Sequence, residues 1–555
     1  MAYAITQTCC NDASCVSVCP VNCIHPTPDE RDFGSTEMLY IDPQTCIDCG
    51  ACADVCPVDA IRPVDRLSGS DTVFADINAQ YYEERQTDNA WSRPQFPKLP
   101  AQDVGRLRVA VVGTGPAAGY TAQSLLQSTD AEVTMIDRLP VPGGLIRYGV
   151  APDHPSTKRI GDSFAGLYAH PRLRVHMNVE VGTDITHAEI AAHHHAVVYA
   201  VGAASDKSLG IPGEDMAGSI SATQFVNWYN AHPEVPASAV DLAAERAVIV
   251  GNGNVALDAA RILLSDPDDL ASTDIADHAL EALRAGRVRE VVLLARRGPE
   301  HAAFSRAEFH GLQRVPGVRL VVDDDAGVRD AIAGAATGSK AALLQDLDIV
   351  DVDWTAAPPP GRRIVFRFMA SPAEIVGDGR VESLRVRPTR QPQRDAPGTS
   401  RRDRAELIRT RLVLRSIGYR SNPVPDLPFD TASATVPNDA GRVVDPHTGE
   451  HVPGTYVVGW IKRGPSGGIG ANRTCAAETV DALIEDAARQ CLPCPSRTRR
   501  QFARLVRRRK PTAVGRRGMR AIDRSERARG SESGRPRVKL ATVPDLLAAG
   551  QRRSG

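Results

Sequence analysis

Nine of the twelve cysteines stand between Cys9 and Cys56, and their spacing is that of a metal–sulfur site. Cys46, Cys49, Cys52 and Cys56 form C-x2-C-x2-C-x3-C, closed by Pro57. Three thiolates three residues apart wrap one face of a cuboidal iron–sulfur cluster. The fourth, before a proline that turns the chain away, reaches a second cluster. Gly50 lets loop amides approach the sulfides. Paired cysteines also bind zinc, but four in one tight run before proline favour iron–sulfur. Cys9, Cys15 and Cys19-Pro20 form a degraded copy, with Asp12 where its second cysteine would stand. Cross-ligation groups Cys19 with Cys46, Cys49 and Cys52 around one 4Fe–4S cluster. It groups Cys9 and Cys15 with Cys56 around another. Three thiolates make that second cluster 3Fe–4S. The alternative is a second 4Fe–4S completed by Asp12 or Cys10, although a carboxylate is a harder, weaker partner for iron sulfide. Cys10 and Cys23 read as small buried hydrophobes.

Two glycine turns carry a different chemistry. Arg108–Val112 reads as a buried strand running into Gly113-Thr114-Gly115-Pro116-Ala117-Ala118 and then a helix. Gly113 makes the tight turn, Gly115 lets a pyrophosphate approach the backbone, and Ala118 lets helix and strand pack closely. The next strand, Glu132–Ile136, ends at Asp137. A carboxylate there accepts hydrogen bonds from ribose hydroxyls and disfavours a 2′-phosphate, which predicts FAD or NAD. The unit recurs at Ala247–Val250, with Gly251-Asn252-Gly253-Asn254-Val255 as its turn. Its following strand, Glu290–Ala295, ends at Arg296-Arg297-Gly298. Guanidiniums bind phosphate bidentately and stay charged, which predicts NADP(H). Two electrons arrive from nicotinamide and clusters accept one, so a flavin is the needed converter.

These motifs must be held by several domains, and 555 residues suffice for three or four. The expected architecture is a small α+β iron–sulfur domain (1–65), a linker (66–104) and two Rossmann-like α/β domains. The second of these (206–411) is inserted between halves of the first (105–205 and 412–490). Prolines at Pro94, Pro97 and Pro100 predict an extended linker. An Arg-rich tail (491–555) reads as a solvated, partly mobile surface with one short terminal helix, and Cys491 and Cys494 as surface thiols. Net charge is −1, which gives no sign of a nucleic-acid binder. No apolar run reaches membrane-spanning length and no secretory signal is visible, so a cytoplasmic, reducing setting is expected, without nucleic-acid or membrane partners.

Residues 1–62 resemble the seven-iron ferredoxins, on the two cysteine motifs. Residues 105–490 resemble the adrenodoxin reductase-like branch of ferredoxin–NADP reductases. That likeness rests on Gly149-Val150-Ala151-Pro152-Asp153-His154-Pro155, Gly251–Asp258, Arg296-Arg297-Gly298-Pro299 and Gly459–Gly467. The whole chain is thus similar to the fused ferredoxin/ferredoxin–NADP reductases. The resemblance implies FAD contacts at Ala118, Asp137, Leu145, Val181, Trp460, Gly467, Gly468 and Ile469. It implies NADP contacts at Asn252, Gly253, Asn254, Val255, Arg296, Arg297, Glu308 and Gly467. It places His154, the candidate catalytic residue, beside the flavin ring. Related reductases can carry a carboxylate one helical turn after Glu308, paired with the histidine. Here that position is Gly311, so His154 is expected to position or tune. The implied activity is electron transfer from NADPH to an external ferredoxin or similar one-electron acceptor. Rival readings are an electron-input subunit, like the small subunit of glutamate synthase, and a redox-sensing interaction protein.

Overall fold

Strands buried on both faces read as continuous apolar runs, and two such runs, Arg108–Val112 and Arg246–Val250, lie inside two large sheets. A computed structural model describes residues 2–83, 85, 104–324, 326–389 and 405–551. The first sheet has seven strands, in the order Asn438–Asp439, Arg442–Val444, His451–Val457, Ala196–Tyr199, Arg108–Val112, Glu132–Asp137 and Leu173–Met177. From His451–Val457 onward the pairings are parallel. The second sheet is wholly parallel: Ser219–Ser221, Leu412–Arg415, Arg246–Val250, Glu290–Leu294, Arg362–Arg367, Val318–Asp323 and Asp348–Val350. A three-stranded antiparallel sheet (Ala370–Val376, Ser383–Pro388, Glu406–Arg409) packs Ile375, Leu384 and Ile408 on one face of it.

The chain returns to the first domain later than residue 412. Leu412–Arg415 is still a strand of the second sheet, because its apolar residues fill the place beside Arg246–Val250. The crossing is made by Tyr419–Arg420, antiparallel to Ser205–Asp206.

The described first part of the expected linker is mostly helical. Residues Val73–Glu83 form a helix that closes the iron–sulfur domain. Its Asn78 is 1% exposed. The Asn78 amide accepts from the Ile5 and Ile41 amides at 3.1 and 2.8 Å, and donates to the Ile5 carbonyl at 2.8 Å. One buried side chain thus ties the Tyr3–Ile5/Ile61–Pro63 ladder and the Ile24–His25/Tyr40–Ile41 ladder to the helix. The proline-rich stretch Trp91–Pro100 lies outside the described residues.

The Arg-rich tail is three helices: Arg499–Arg509, Arg516–Glu532 and Val543–Gln551. Phe502, fully buried, packs on the rings of His176, His193 and His194 at 4.9–5.5 Å. Val514 pairs with Met177 and so covers the open edge of the first sheet. Glu526 is fully buried; it accepts from Arg147 at 2.6 Å, Arg537 at 3.2 Å and the Leu540 amide at 3.0 Å. Burial works against its charge, yet Arg147 holds the carboxyl below its ordinary value. Lys539 and Lys158 converge on Asp274 and Asn230 at 2.6–2.9 Å. The tail therefore straps the first domain (Arg147, Lys158) to the second (Asn230, Asp274). Removing one partner of a buried ion pair strands the other. Glu526→Ala is accordingly expected to cost about 3–5 kcal/mol of stability, read as a lowered thermal midpoint, with Glu526→Gln costing less.

Candidate functional site

Both glycine turns are built alike. Gly113 has φ +111° and Gly251 has φ +122°. A Cβ on Gly113 would sit 2.5 Å from the Ala200 carbonyl, and one on Gly251 would sit 2.1 Å from that of Ser416. Each turn amide donates to the end of the next strand, Gly113 to Ile136 and Gly251 to Leu294, at 2.7 and 2.9 Å. Only glycine satisfies both the conformation and the close approach. In contrast, a Cβ on Gly115 would meet nothing within 4 Å. The helix Pro116–Ser128 begins there, as Asn254–Leu264 begins after Gly253. An open glycine face at a helix N-terminus suits a pyrophosphate.

Asp137 ends its strand as expected. One oxygen accepts the Thr114 hydroxyl at 2.5 Å and the other the Leu139 amide at 2.9 Å. Burial pushes its carboxyl up. Ala118 is fully buried under the turn. Leu145 opens a short helix after Gly144, and Val181 makes a bridge to Ile185 beyond the strand Leu173–Met177. Arg296 and Arg297 lie exposed at the end of Glu290–Leu294, where their guanidiniums can meet a phosphate. Asn252 and Asn254 accept the amides of Ala303 and Ser305 at 3.3 and 2.7 Å, so the second turn also sets the start of the helix Arg306–Gln313.

That helix carries Glu308 to His154. His154, Asp258 and Glu308 bring nitrogen and oxygen atoms within 4.8 Å of one another. Burial, then the nearby Arg261, pushes the imidazole below its ordinary value. Burial and Asp258 push the Glu308 carboxyl up to about 8. A neutral histidine therefore faces a carboxyl that keeps its proton near neutrality. Arg261 grips Asp153 through two bonds, at 2.8 and 3.1 Å, and Asp258 at 2.7 Å. Gly311 does lack a side chain to pair with His154, but Asp258 supplies a carboxylate from another helix. Sequence reasoning gave Asp258, Arg261 and Asp153 no role, although Asp258 and Arg261 share one face of the helix after the second turn.

Trp460 follows Gly459, whose Cβ would lie 2.7 Å from that of Ala117. Its ring lies 5.2 Å from Tyr419. The loop Gly467-Gly468-Ile469-Gly470 then meets the cysteine domain. The Gly470 amide donates to the Cys10 carbonyl at 2.7 Å, and a Cβ there would sit 2.0 Å from the Asn11 carbonyl carbon. Arg473 donates to the Asp12 carbonyl at 3.0 Å and the Ser14 hydroxyl at 2.9 Å.

Cys19, Cys46, Cys49 and Cys52 line one hollow, with Tyr3, Ile41 and Gly50. Gly50 takes φ +75°. Cys23 lines it too, 3.4 Å from Cys19 sulfur to sulfur. Cys9, Cys15 and Cys56 form the other group. Burial pushes the Cys9 thiol up to about 12, and Cys9 and Cys56 add to the effect of burial on Cys15. Such thiols ionise only with a strong positive partner, as iron is. The Asp12 carboxylate accepts the Ser14 hydroxyl and lies 3.8 Å from Arg473. Cys491 and Cys494 are exposed. No described helix is long and apolar enough to cross a membrane.

Residues 39–62 match the 4Fe-4S binding domain, and residues 107–297 the pyridine nucleotide-disulphide oxidoreductase family. A probable ferredoxin/ferredoxin–NADP reductase of Mycobacterium bovis is 49% identical over 99% of this chain and 95% of its own. NADPH-ferredoxin reductase FprA of Mycobacterium leprae is 44% identical over 80% of this chain and 98% of its own. The solved structure of Mycobacterium tuberculosis FprA in complex with NADPH superposes with a TM-score of 0.71 at 43% identity. It covers 80% of this chain and all of that one. With two strand–glycine-turn–helix domains and a cysteine domain seated on the loop Gly467–Gly470, the chain belongs to the fused ferredoxin/ferredoxin–NADP reductases.

Proposed function

We propose that the chain takes electrons from NADPH and delivers them singly, through two iron–sulfur clusters, to an external ferredoxin or similar acceptor in the cytoplasm. The observation that carries this reading is the Cys10–Gly470 contact, which seats the Cys9/Cys15/Cys56 group against the glycine loop of the first dinucleotide site. FAD supplies the change from hydride to single electrons when bound. The residues do the rest. Asp137 accepts the adenosine ribose hydroxyls and keeps a 2′-phosphate out of the first site. Gly113, Gly115 and Ala118 admit the pyrophosphate, and Trp460 and Gly467–Ile469 cover the ring system. Asn252–Val255 cradle the second pyrophosphate, and Arg296 and Arg297 take the 2′-phosphate. Neutral His154 and protonated Glu308 shape the nicotinamide pocket without adding charge to it.

Cys19, Cys46, Cys49 and Cys52 would hold a 4Fe–4S cluster. Cys9, Cys15 and Cys56 would hold a 3Fe–4S cluster. The engagement of Asp12 with Ser14 and Arg473 supports three irons, since that carboxylate already has partners. The tight attachment of the cysteine domain to its own reductase favours a relay over a sensor, which needs an output surface.

The cofactor assignment is tested by Arg296→Ala/Arg297→Ala. Two charge-assisted contacts are lost, so the preference for NADPH over NADH should fall on the order of 100-fold; an unchanged ratio of kcat/KM values contradicts it. The cluster assignment is tested by EPR with iron and sulfide counting on protein purified without oxygen. A 3Fe signal as isolated beside a reducible 4Fe centre is expected; two intact 4Fe clusters contradict it.

A further inference from the structure

The helix Arg306–Gln313 belongs to the second domain, yet the ferredoxin domain grips it along its length. The Arg306 amide donates to Glu37 at 2.8 Å and its guanidinium to Gln80 at 2.9 Å. Arg314 pairs with Asp71 at 3.1 Å and lies over the Phe74 ring. Between these contacts, Gln7 reaches the one face of the helix that carries Glu308. The Gln7 amide nitrogen donates to the Glu308 carboxyl at 3.2 Å. That reach is possible because residue 311, one turn on and on the same face, is glycine. A Cβ on Gly311 would lie 2.7 Å from the Gln7 amide nitrogen and 3.2 Å from its oxygen. The gap in the reductase helix is filled from the ferredoxin domain.

We propose that Gln7 is a positioning residue of the hydride-transfer pocket: it occupies the space left at Gly311 and fixes the Glu308 carboxyl against His154 and Asp258. The inference rests on the reading of the His154–Asp258–Glu308 cluster as the nicotinamide pocket. It makes the pocket a composite of two domains, complete only when the ferredoxin domain is seated.

Gln7→Met keeps the bulk and removes the donor. In the holoenzyme it should slow flavin reduction at saturating NADPH about tenfold, the effect of one lost hydrogen bond to a carboxyl group. The Kd for NADP+, set mainly by the arginine pair, should change little, and iron content and the flavin-to-cluster rate should stay as in the parent. The bond favours ionised Glu308. Its loss should therefore shift the alkaline limb of the NADP+-binding pH profile upward, with Asp258, Asp153, Arg261 and His154 facing the same carboxyl unchanged. Gly311→Ala, which must push the Gln7 amide aside, should slow flavin reduction similarly. The double variant should be no slower than either single one. Additive losses, or an unshifted profile with an unslowed rate, would overturn the role of Gln7. Glu308→Leu, which removes the polar group that a glutamine would keep as a mimic of the protonated carboxyl, separates the two readings. If it leaves flavin reduction at the parent rate, the pocket assignment itself fails; if it slows the step while Gln7→Met does not, only the role of Gln7 fails.

Discussion

The amide of Gly470 bonded to the carbonyl of Cys10 is the contact on which the redox architecture turns. It joins the loop of the first dinucleotide site to the loop carrying Cys9 and Asp12. A side chain at position 470 would run into the Asn11 backbone, so the approach exists only because the residue is glycine. Arg473, three residues into the helix Ala471–Ala488, adds two bonds to the same loop. Closing on the Cys9/Cys15/Cys56 group makes the reductase and the ferredoxin one unit. Three acidic residues of the ferredoxin domain (Glu37, Asp59, Asp71) meet basic partners on both dinucleotide domains: Lys340, Arg159 and Arg314.

The two dinucleotide domains, in contrast, are held by buried charge. Asp274 sits between two ammonium groups, and burial opposes but does not prevent their holding its carboxyl well below the usual range. Arg261 bridges Asp153 of the first domain to Asp258 of the second. Buried pairs of this sort add little net stability over apolar packing, but they penalise wrong geometry heavily. Here the geometry they fix is that of the cluster in which His154 of the first domain meets Asp258 and Glu308 of the second. In that cluster burial pushes the His154 imidazole down and the Glu308 carboxyl up.

What was legible in the chain was local. The cysteine runs and glycine turns are made of residues close in sequence, so spacing alone marks them. The strand-end positions of Asp137 and the arginine pair were legible because each follows directly on an apolar β run. Contacts distant in sequence were not: Gln7 and Glu308 lie 301 residues apart. The helix Val73–Glu83 has the right apolar spacing at Phe74 and Ile77, but the prolines after it dominated the reading. The arginines of the tail mask its apolar spacing. Long arginine side chains can reach water while Phe502, Ile522 and Leu546 beneath them stay fully buried. The late domain crossing, at Tyr419–Arg420, was hidden because the apolar strand before it, Leu412–Arg415, fits either sheet.

A seated ferredoxin domain predicts electron transfer within one molecule. Oxidised protein is mixed with NADPH, and loss of cluster absorbance after flavin reduction is followed over a wide range of protein concentration. A first-order cluster-reduction rate that does not change with protein concentration is the predicted result. A rate that rises in proportion to protein concentration would mean that clusters are reduced only by another molecule's flavin, and would contradict the docked relay.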